Sequence, residues 1–246
     1  MDQLLKHFDE VERGLDYPSY YTMPFHAYDE GNLSWQAAKE VECAAFTVHA
    51  PIFTGNRDVL DRNGDAILRD NFHKNVLSIF SASGFVPTVI VDIGCSTGLS
   101  TIKCFDSFPH AEIIGCDLSP YMLAVAKLQM NFREDMREAQ KAITFYQAAG
   151  EDMSFISCKN VDLVTMSLVS HELPTSAARA IFDEAYRLLK PGGAFALMDM
   201  DPESTFFRKF ASNPMAFTAF KSTEVCIKTC LYVCICVFVC MHISHL

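Results

Sequence analysis

Two hundred and forty-six residues, half of them hydrophobic and a fifth charged, can close one hydrophobic core with room for an extension. Thirty Asp and Glu against twenty Lys and Arg give a formal charge of −10, which argues against nucleic acid as the main partner, since phosphate recognition needs a basic footprint. Five of the ten cysteines (Cys43, Cys95, Cys104, Cys116, Cys158) are scattered over residues 1–224, as in a reduced intracellular chain, and five crowd into the last 21 residues.

The first ten residues include acids and lack both the basic-then-apolar order of a signal peptide and the acid-poor character of a transit peptide. A cytoplasmic protein is expected, with a plastid as the alternative if the N-terminus is incomplete. Residues 1–85 read as a mainly helical extension or lid. Leu4, Leu5, Phe8 and Val11 share a face of a first helix, another helix spans about 65–82, and an aromatic loop from Tyr17 to Trp35 lies between them. Asp61-Arg62-Asn63-Gly64-Asp65 has a calcium-loop flavour, but its glycine is misplaced and no Glu follows at the required offset, so no metal is expected there.

Residues 86–224 alternate short apolar runs with amphipathic stretches, the pattern of βαβ units and a parallel sheet. Strand one is Thr88 to Ile93, ending at Gly94, with Leu99, Ile102 and Phe105 on the following helix. Strand two is Glu112 to Cys116, closed by Asp117; Ser119-Pro120 then supplies an N-cap and a first-turn proline. Ala142 to Tyr146 and Val161 to Met166 are strands three and four. A helix over Pro174 to Leu189 is stopped by Lys190-Pro191-Gly192-Gly193, and Ala194 to Met200 is strand five. Residues 203–224, with Phe206, Phe207, Phe210, Phe217 and Phe220, can supply a further helix.

The tail, residues 225–246, holds one charge in 22 residues, and Thr229 to Leu246 is uncharged throughout. Three readings compete: a membrane anchor over 229–246, cut short by His242, Ser244 and His245; a buried or edge strand over Leu231 to Val239; and a segment never selected as protein, such as a translated T-rich intron. The last is preferred here. Cys226, Cys230, Cys234, Cys236 and Cys240 lack the paired spacing of a zinc site.

The chemistry concentrates in Asp92-Ile93-Gly94-Cys95-Ser96-Thr97-Gly98, between strand one and its helix. Glycines there let a ligand approach backbone amides at a helix N-terminus. A dinucleotide needs Gly-x-Gly-x-x-Gly, whereas this turn is Gly-x-Ser-x-Gly with Leu99 at the third glycine's place, so a nicotinamide oxidoreductase fits poorly. Asp117, at the tip of strand two, can accept both hydroxyls of a ribose or, more plainly, cap the following helix.

Together, Asp92 to Gly98, Asp117 and Leu189-Lys190-Pro191-Gly192-Gly193 resemble a class I S-adenosylmethionine-dependent methyltransferase over about residues 86–202. The loop Tyr20 to Trp35 is similar to that of uncharacterised plant members. The resemblance implies a Rossmann-like α/β fold, a parallel sheet of strands 3-2-1-4-5 with helices on both faces. The family's last two strands are missing or replaced here, which would leave strand five an exposed apolar edge. It further implies that S-adenosylmethionine lies with its methionine part on Asp92, Gly94, Cys95, Ser96 and Gly98, its ribose on Asp117, and its adenine flanked by Leu118 and Met122. Many relatives carry Asp-Ala-Glu after strand three. This chain has Ala149-Gly150-Glu151, so Gly150 and Glu151, or Asp152 from a shifted register, would serve the adenine.

Ser167 to Pro174 would face the methyl group. His171 is the first candidate base, and the alternative is a histidine that bonds the sheet edge or caps the next helix. Tyr21, Phe25, His26, Tyr28 and Trp35 could form a lid, with Tyr28 against the sulfonium, or simply pack. The resemblance implies methyl transfer to a small-molecule, lipid or quinone-like acceptor. Its alternative is a methyltransferase-fold protein that binds cofactor or a partner without turnover.

Overall fold

The computed structural model describes residues 1–26, 28–54, 58–132, 137–200, 208 and 212–215, and the backbone of 236–239. At its centre is one sheet in the order β3-β2-β1-β4-β5-β6. The strands are β1 (Val89–Ile93), β2 (Glu112–Asp117), β3 (Ile143–Gln147), β4 (Val161–Ser167), β5 (Leu189–Met198) and β6 (Cys236–Val239). The first five run parallel and β6 is antiparallel to β5. This is the 3-2-1-4-5 order and the α/β class that the sequence predicts.

The central strands are buried on both faces, which is why they read as continuous apolar runs rather than alternating ones. Successive side chains still point to opposite sides. Ile90 and Leu163 join one core layer, under helices α3 (Gly64–Ser83), α4 (Leu99–Ser107) and α5 (Pro120–Phe132). Val91, Ile93, Val164 and Met166 join the other, with Ile181, Ala185 and Leu188 of α7 (Thr175–Leu188). A short helix, α6 (Ala139–Ala142), leads into β3.

The N-terminal helices are part of this packing. Val11 of α1 (Asp2–Val11) and Phe72, Val76 and Phe80 of α3 belong to the same buried cluster as Ile90 and Leu123. A further helix, to which no sequence expectation corresponds, is α2 (Trp35–His49); it starts after Ser34, whose hydroxyl accepts from the Ala37 amide as an N-cap. Phe8, Trp35 and Tyr121 meet at ring distances of 4.9–5.7 Å, pinning α1 and α2 against α5. Trp35 is therefore a packing residue rather than a lid. Tyr28 likewise packs with Ala37, Ala38 and Met122 and donates its hydroxyl to Glu40 at 2.7 Å, so it is committed to α2 and not to a sulfonium. Asp65, from the rejected calcium run, is buried against His49 (2.8 Å) and Arg69 (2.9 Å).

Two boundaries differ from expectation. Strand five begins at Leu189, because Lys190-Pro191-Gly192-Gly193 forms a bulge inside the strand instead of a turn before it. Val161 pairs with Leu189 and Leu163 with Ala194, so extra residues of β5 lie opposite one residue of β4. The Lys190 ammonium meets Asp162 at 2.8 Å across that bulge. Asp162 also accepts from the Thr88 and Val89 amides, which ties the amino ends of β1, β4 and β5 together. The edge of β5 is also not left open. Ala194 to Leu197 pair with β6, part of the segment for which the strand reading was one of three. The Phe-rich stretch 203–224 and most of residues 225–246 lie outside the described residues.

His73, on α3, is buried among Phe72 and the core, with Lys103, Arg69 and Asp70 nearby, and its Nδ1 has no partner among the described residues. Burial, with the two cations adding to it, lowers its pKa to about 4 from 6.5. The folded ring thus stays neutral where the unfolded one already binds a proton. Stability from this site is present above about pH 6.5 and is lost as pH falls toward 4. Thermal melts across that range should show a falling melting temperature, and His73→Phe should flatten the fall by about 3 kcal/mol or less. Equal slopes for the two chains would show that another group controls the acid limb.

Candidate functional site

Parallel strands deliver their carboxyl ends, and the loops that follow, to one side of the sheet. The turn after β1 is held from beneath by Asp92, which has no exposed surface. Its Oδ2 accepts from the hydroxyls of Ser100 (2.6 Å) and Thr101 (2.7 Å) on α4, and its Oδ1 from Thr165 (2.7 Å) on β4. Burial pushes its carboxyl pKa up, and the three hydroxyls oppose that. What sets Asp92 apart is its complete enclosure among these hydroxyls, which places it beneath the turn rather than on the surface where the cofactor-ligand expectation would put it. It fixes the start of α4 on the sheet.

Above it, Gly94 and Gly98 adopt φ of +68° and +90°, and Ser96 between them +51°. The Gly94 and Cys95 amides both donate to the Cys116 carbonyl, at 2.8 and 3.0 Å, so the turn is stitched to β2. The Cys95 thiol is buried, and burial raises its pKa far above the ordinary thiol range. It acts as packing. Thr97 donates to Glu42 of α2 at 2.6 Å, bringing the N-terminal layer down on the same turn.

Asp117, at the tip of β2, accepts from the Ser96 amide through Oδ2 (2.8 Å) and from the Ser119 amide through Oδ1 (2.8 Å). It therefore holds Ser119, whose hydroxyl accepts from the Met122 amide (3.3 Å) as the N-cap of α5, and reaches across to the glycine turn. Burial raises its pKa, and the Ser119 and Ser96 amides and the Tyr21 hydroxyl pull against that. Tyr21 donates to Oδ1 at 3.2 Å. Leu118 and Met122 are buried beside it, the Met122 sulfur 3.5 Å from the Ser96 hydroxyl.

After β3, Ala149-Gly150-Glu151-Asp152 closes a tight turn. Asp152 caps the Ser154 amide from an exposed position, so the shifted-register role for it is not supported. Glu151 turns inward: Tyr20 donates to its Oε1, while its buried Oε2 has no partner among the described residues. A buried acceptor without a donor is costly, and an amino group of a bound ligand would relieve it. Gln147, the last residue of β3, is fully committed: Arg13 N donates to its Oε1 at 2.6 Å, and its Nε2 reaches Tyr17 and the Leu118 carbonyl.

Ser167 ends β4, and Leu168 follows at φ +60°. The 3₁₀ turn Ser170–Glu172 then places His171 beside Asp199, just past β5, with Nδ1 to Oδ1 at 2.6 Å. Glu172 Oε1 lies 3.8 Å from His171 Nε2 and 4.0 Å from His26 Nε2, and the Phe25 and His26 rings sit 3.8 Å apart.

The strand tips thus gather Gly94 to Gly98, Asp117, Leu118, Met122, Gly150, Glu151, Ser167 and His171. Asp92 lies below this group and Tyr28 to the side. The sequence reading did not single out Tyr20, Gln147 or Asp199. Only Asp199 left a usable signal, as an acid directly after an apolar strand whose parallel neighbour leads to His171. The residues present fit an adenosyl ligand: an acceptor carboxylate at β2, a glycine turn at a helix start, and an unsatisfied buried oxygen after β3. A separate apolar cleft of about 250 Å³, lined by Leu77, Phe80, Phe85 and Phe108, lies at the amino end of the sheet, away from these groups.

Residues 90–193 match a family model described as a methyltransferase domain. An uncharacterized methyltransferase of Synechocystis sp. is 31% identical over 117 residues, 48% of this chain and 49% of that protein. The protein named probable S-adenosylmethionine-dependent methyltransferase CRG1, of Saccharomyces cerevisiae, is 35% identical over 107 residues, 44% of this chain and 34% of its own length. A carboxy-S-adenosyl-L-methionine synthase of Shigella boydii is 29% identical over 133 residues, 52% of this chain and 51% of that one. The chain spans about half the length of these curated relatives or less. Among solved structures, one from Methanococcus maripaludis, provisionally named an S-adenosyl-L-methionine-dependent methyltransferase, superposes with a TM-score of 0.51 at 15% identity, covering 87% of this chain and 81% of that one.

The turn's conformation has a measurable cost of substitution. A Cβ on Gly94 would lie 2.5 Å from Val169 Cγ2, on a backbone already at positive φ. Gly94→Ala should cost about 1–2 kcal/mol in backbone strain and about 1–3 kcal/mol in overpacking. Val169→Ala in the same chain should recover only the second part. Urea unfolding of the two single variants and the double variant checks this, and equal losses in both Val169 backgrounds would refute the steric account.

Proposed function

We propose that this chain, whose residues 90–193 match a methyltransferase domain, is a class I S-adenosylmethionine-dependent methyltransferase that transfers the methyl group of that cofactor to a small-molecule, lipid or quinone-like acceptor. S-adenosylmethionine is the cofactor, and it supplies an electrophilic methyl on a sulfonium. The observation that carries the reading is Asp117, whose carboxylate links the glycine turn to the β2 tip through the Ser96 amide, where ribose hydroxyls would be accepted. In our reading the methionine part lies along Gly94, Cys95, Ser96 and Gly98. The adenine lies against Leu118 and Met122, with its amino group toward Gly150 and Glu151.

The protein's own work is then to bind, orient and exclude water. Arg13 to Tyr21 run over the tips of β2 and β3, held by Gln147, Glu151 and Asp117. Within the N-terminal extension, residues 1–85, we read the Arg13 to Tyr21 stretch as the cover of the site, while its helices pack on the sheet. The Phe25–His26 pair beside the Ser170–Glu172 turn favours an acceptor with an apolar or ring body. His171 stands on the acceptor side with Ser167. No described helix is long and apolar enough to cross a membrane. The five described cysteines are free thiols, in keeping with a reducing compartment, and we place the chain in the cytoplasm.

Calorimetric titration with S-adenosylhomocysteine tests the cofactor assignment. Charged hydrogen bonds are worth about 1.5–3 kcal/mol each, so Asp117→Ala should weaken binding about tenfold or more while the fold, followed by circular dichroism, persists. Unchanged affinity would remove the ribose assignment. Binding retained without turnover on any acceptor would favour a methyltransferase-fold binding protein.

A further inference from the structure

We propose that Asp199 is a positioning residue that makes His171 the base for an acceptor bearing an O–H group, an inference that rests on the methyl-transfer reading above. The two residues come from adjacent parallel strands. Ser167 pairs with Met198 in register, so the turn after β4 and the residue after β5 emerge side by side. Asp199, whose side chain has no exposed surface, sits in a nest of donors. Its Oδ2 accepts from the Ser170 hydroxyl at 2.5 Å and the His171 amide at 3.1 Å. Its Oδ1 accepts from the Met200 amide at 2.8 Å and faces His171 Nδ1 at 2.6 Å.

An ionised carboxylate can only accept, so in the neutral ring this contact places the proton on Nδ1 and the lone pair on Nε2. Burial works against the charge on Asp199, yet the hydrogen bond from His171, the attraction of that ring when protonated, and the Ser170 and Met200 donors hold its pKa below the ordinary range, and it stays a carboxylate. Around this turn the described charged and titratable groups include Glu172, 3.8 Å from His171 Nε2, and His26, 4.0 Å from Glu172, with Tyr21 in the field of Glu172. Glu172 Oε1, at 3.8 Å from Nε2, is beyond hydrogen-bonding distance and does not replace Asp199.

The chemistry of the acceptor follows from what such a base is good for. A neutral amine already offers a lone pair, and a carboxylate has already lost its proton. An alcohol or phenol keeps its proton at neutral pH and gains most from a base. In the step, an oxygen lone pair forms the new O–C bond to the methyl carbon. The C–S bond breaks with its electrons passing to sulfur, which leaves as a neutral thioether. The hydroxyl proton moves to Nε2 of His171, and the resulting imidazolium is stabilised by Asp199.

The test uses the full chain with methyl-labelled S-adenosylmethionine and simple probes. Phenol is protonated at neutral pH, 4-nitrophenol ionises far more readily, and aniline represents amines that are already neutral at that pH. Label should enter phenol, and Asp199→Asn should lower kcat for phenol by about 10²–10⁴-fold at unchanged KM for the cofactor. The loss should shrink as pH rises and should be much smaller for ionised 4-nitrophenol, with Asp199→Glu restoring part of the phenol rate. Nitrogen-15 spectra of the histidines should show neutral His171 as the Nδ1–H tautomer in the parent chain and not in Asp199→Asn. Equal losses for both phenols, label in the amine alone, no label in either phenol, or an Nε2–H tautomer in the parent chain would each overturn the proposal. Titration with S-adenosylhomocysteine runs beside these assays. Intact binding with any of those outcomes rejects the Asp199–His171 assignment alone, whereas lost binding rejects the cofactor reading beneath it.

Discussion

Asp92 is a carboxyl group with no access to water, set in the central strand β1, and the geometry above it depends on how its oxygens are satisfied. Three hydroxyls supply the answer, two from the first turn of α4 and one from β4. Each hydrogen bond to a charged group contributes about 1.5–3 kcal/mol, and removing any would leave a buried oxygen short of a donor. The consequence is positional. With Ser100 and Thr101 held on Asp92, α4 must begin at Gly98, and the five residues from Gly94 have only one way to connect β1 to it. Their amides are then taken up by the Cys116 carbonyl and the Asp117 carboxylate. A polar anchor inside an apolar sheet thus sets the backbone that a ligand meets.

The same logic explains which part of the sequence could be read in advance. Strands Val89–Ile93 and Val161–Ser167 are buried on both faces, so their apolar runs announce them, and parallel pairing follows from the helices between them. Asp92 announces itself as important by interrupting such a run, but its spacing from Gly94 cannot say whether the carboxylate faces a ligand or the core. The deciding partners are Ser100, Thr101 and Thr165, the last 73 residues away. Local pattern carries no information about that distance. The bulge in β5 was hidden for a related reason. Lys-Pro-Gly-Gly is a turn signal by composition, and only the Lys190–Asp162 pair keeps it within the strand.

Aromatic residues of the N-terminal loop were hardest to sort, because packing and lining require the same residue types. Trp35 and Tyr28 differ from Tyr20 and Tyr21 only in where their polar tips end. Tyr28 reaches Glu40 on its own layer. Tyr20 and Tyr21, adjacent in sequence, reach Glu151 and Asp117, the carboxylates at the tips of neighbouring strands. A tyrosine's apolar body with one polar end suits such a boundary, where one side must be dry and the other must hydrogen-bond.

Those two tyrosines also connect the halves of the site. Asp117 and Glu151 lie over β2 and β3, while His171, Glu172 and Asp199 lie over β4 and β5. Tyr21 donates to Asp117 and at the same time lies in the field of Glu172. Burial, first, and then these two acids raise its pKa well above the usual phenol range, so at neutral pH it is an un-ionised donor. An un-ionised group offers Asp117 a hydrogen bond without adding a third negative charge between two carboxylates. Replacing it with an acid would place like charges together in a water-poor cleft, and replacing it with a base would draw Asp117 away from the turn. The neutral hydroxyl keeps the Ser96 amide as the stronger claim on Asp117, and with it the alignment of the glycine turn to the strand tip.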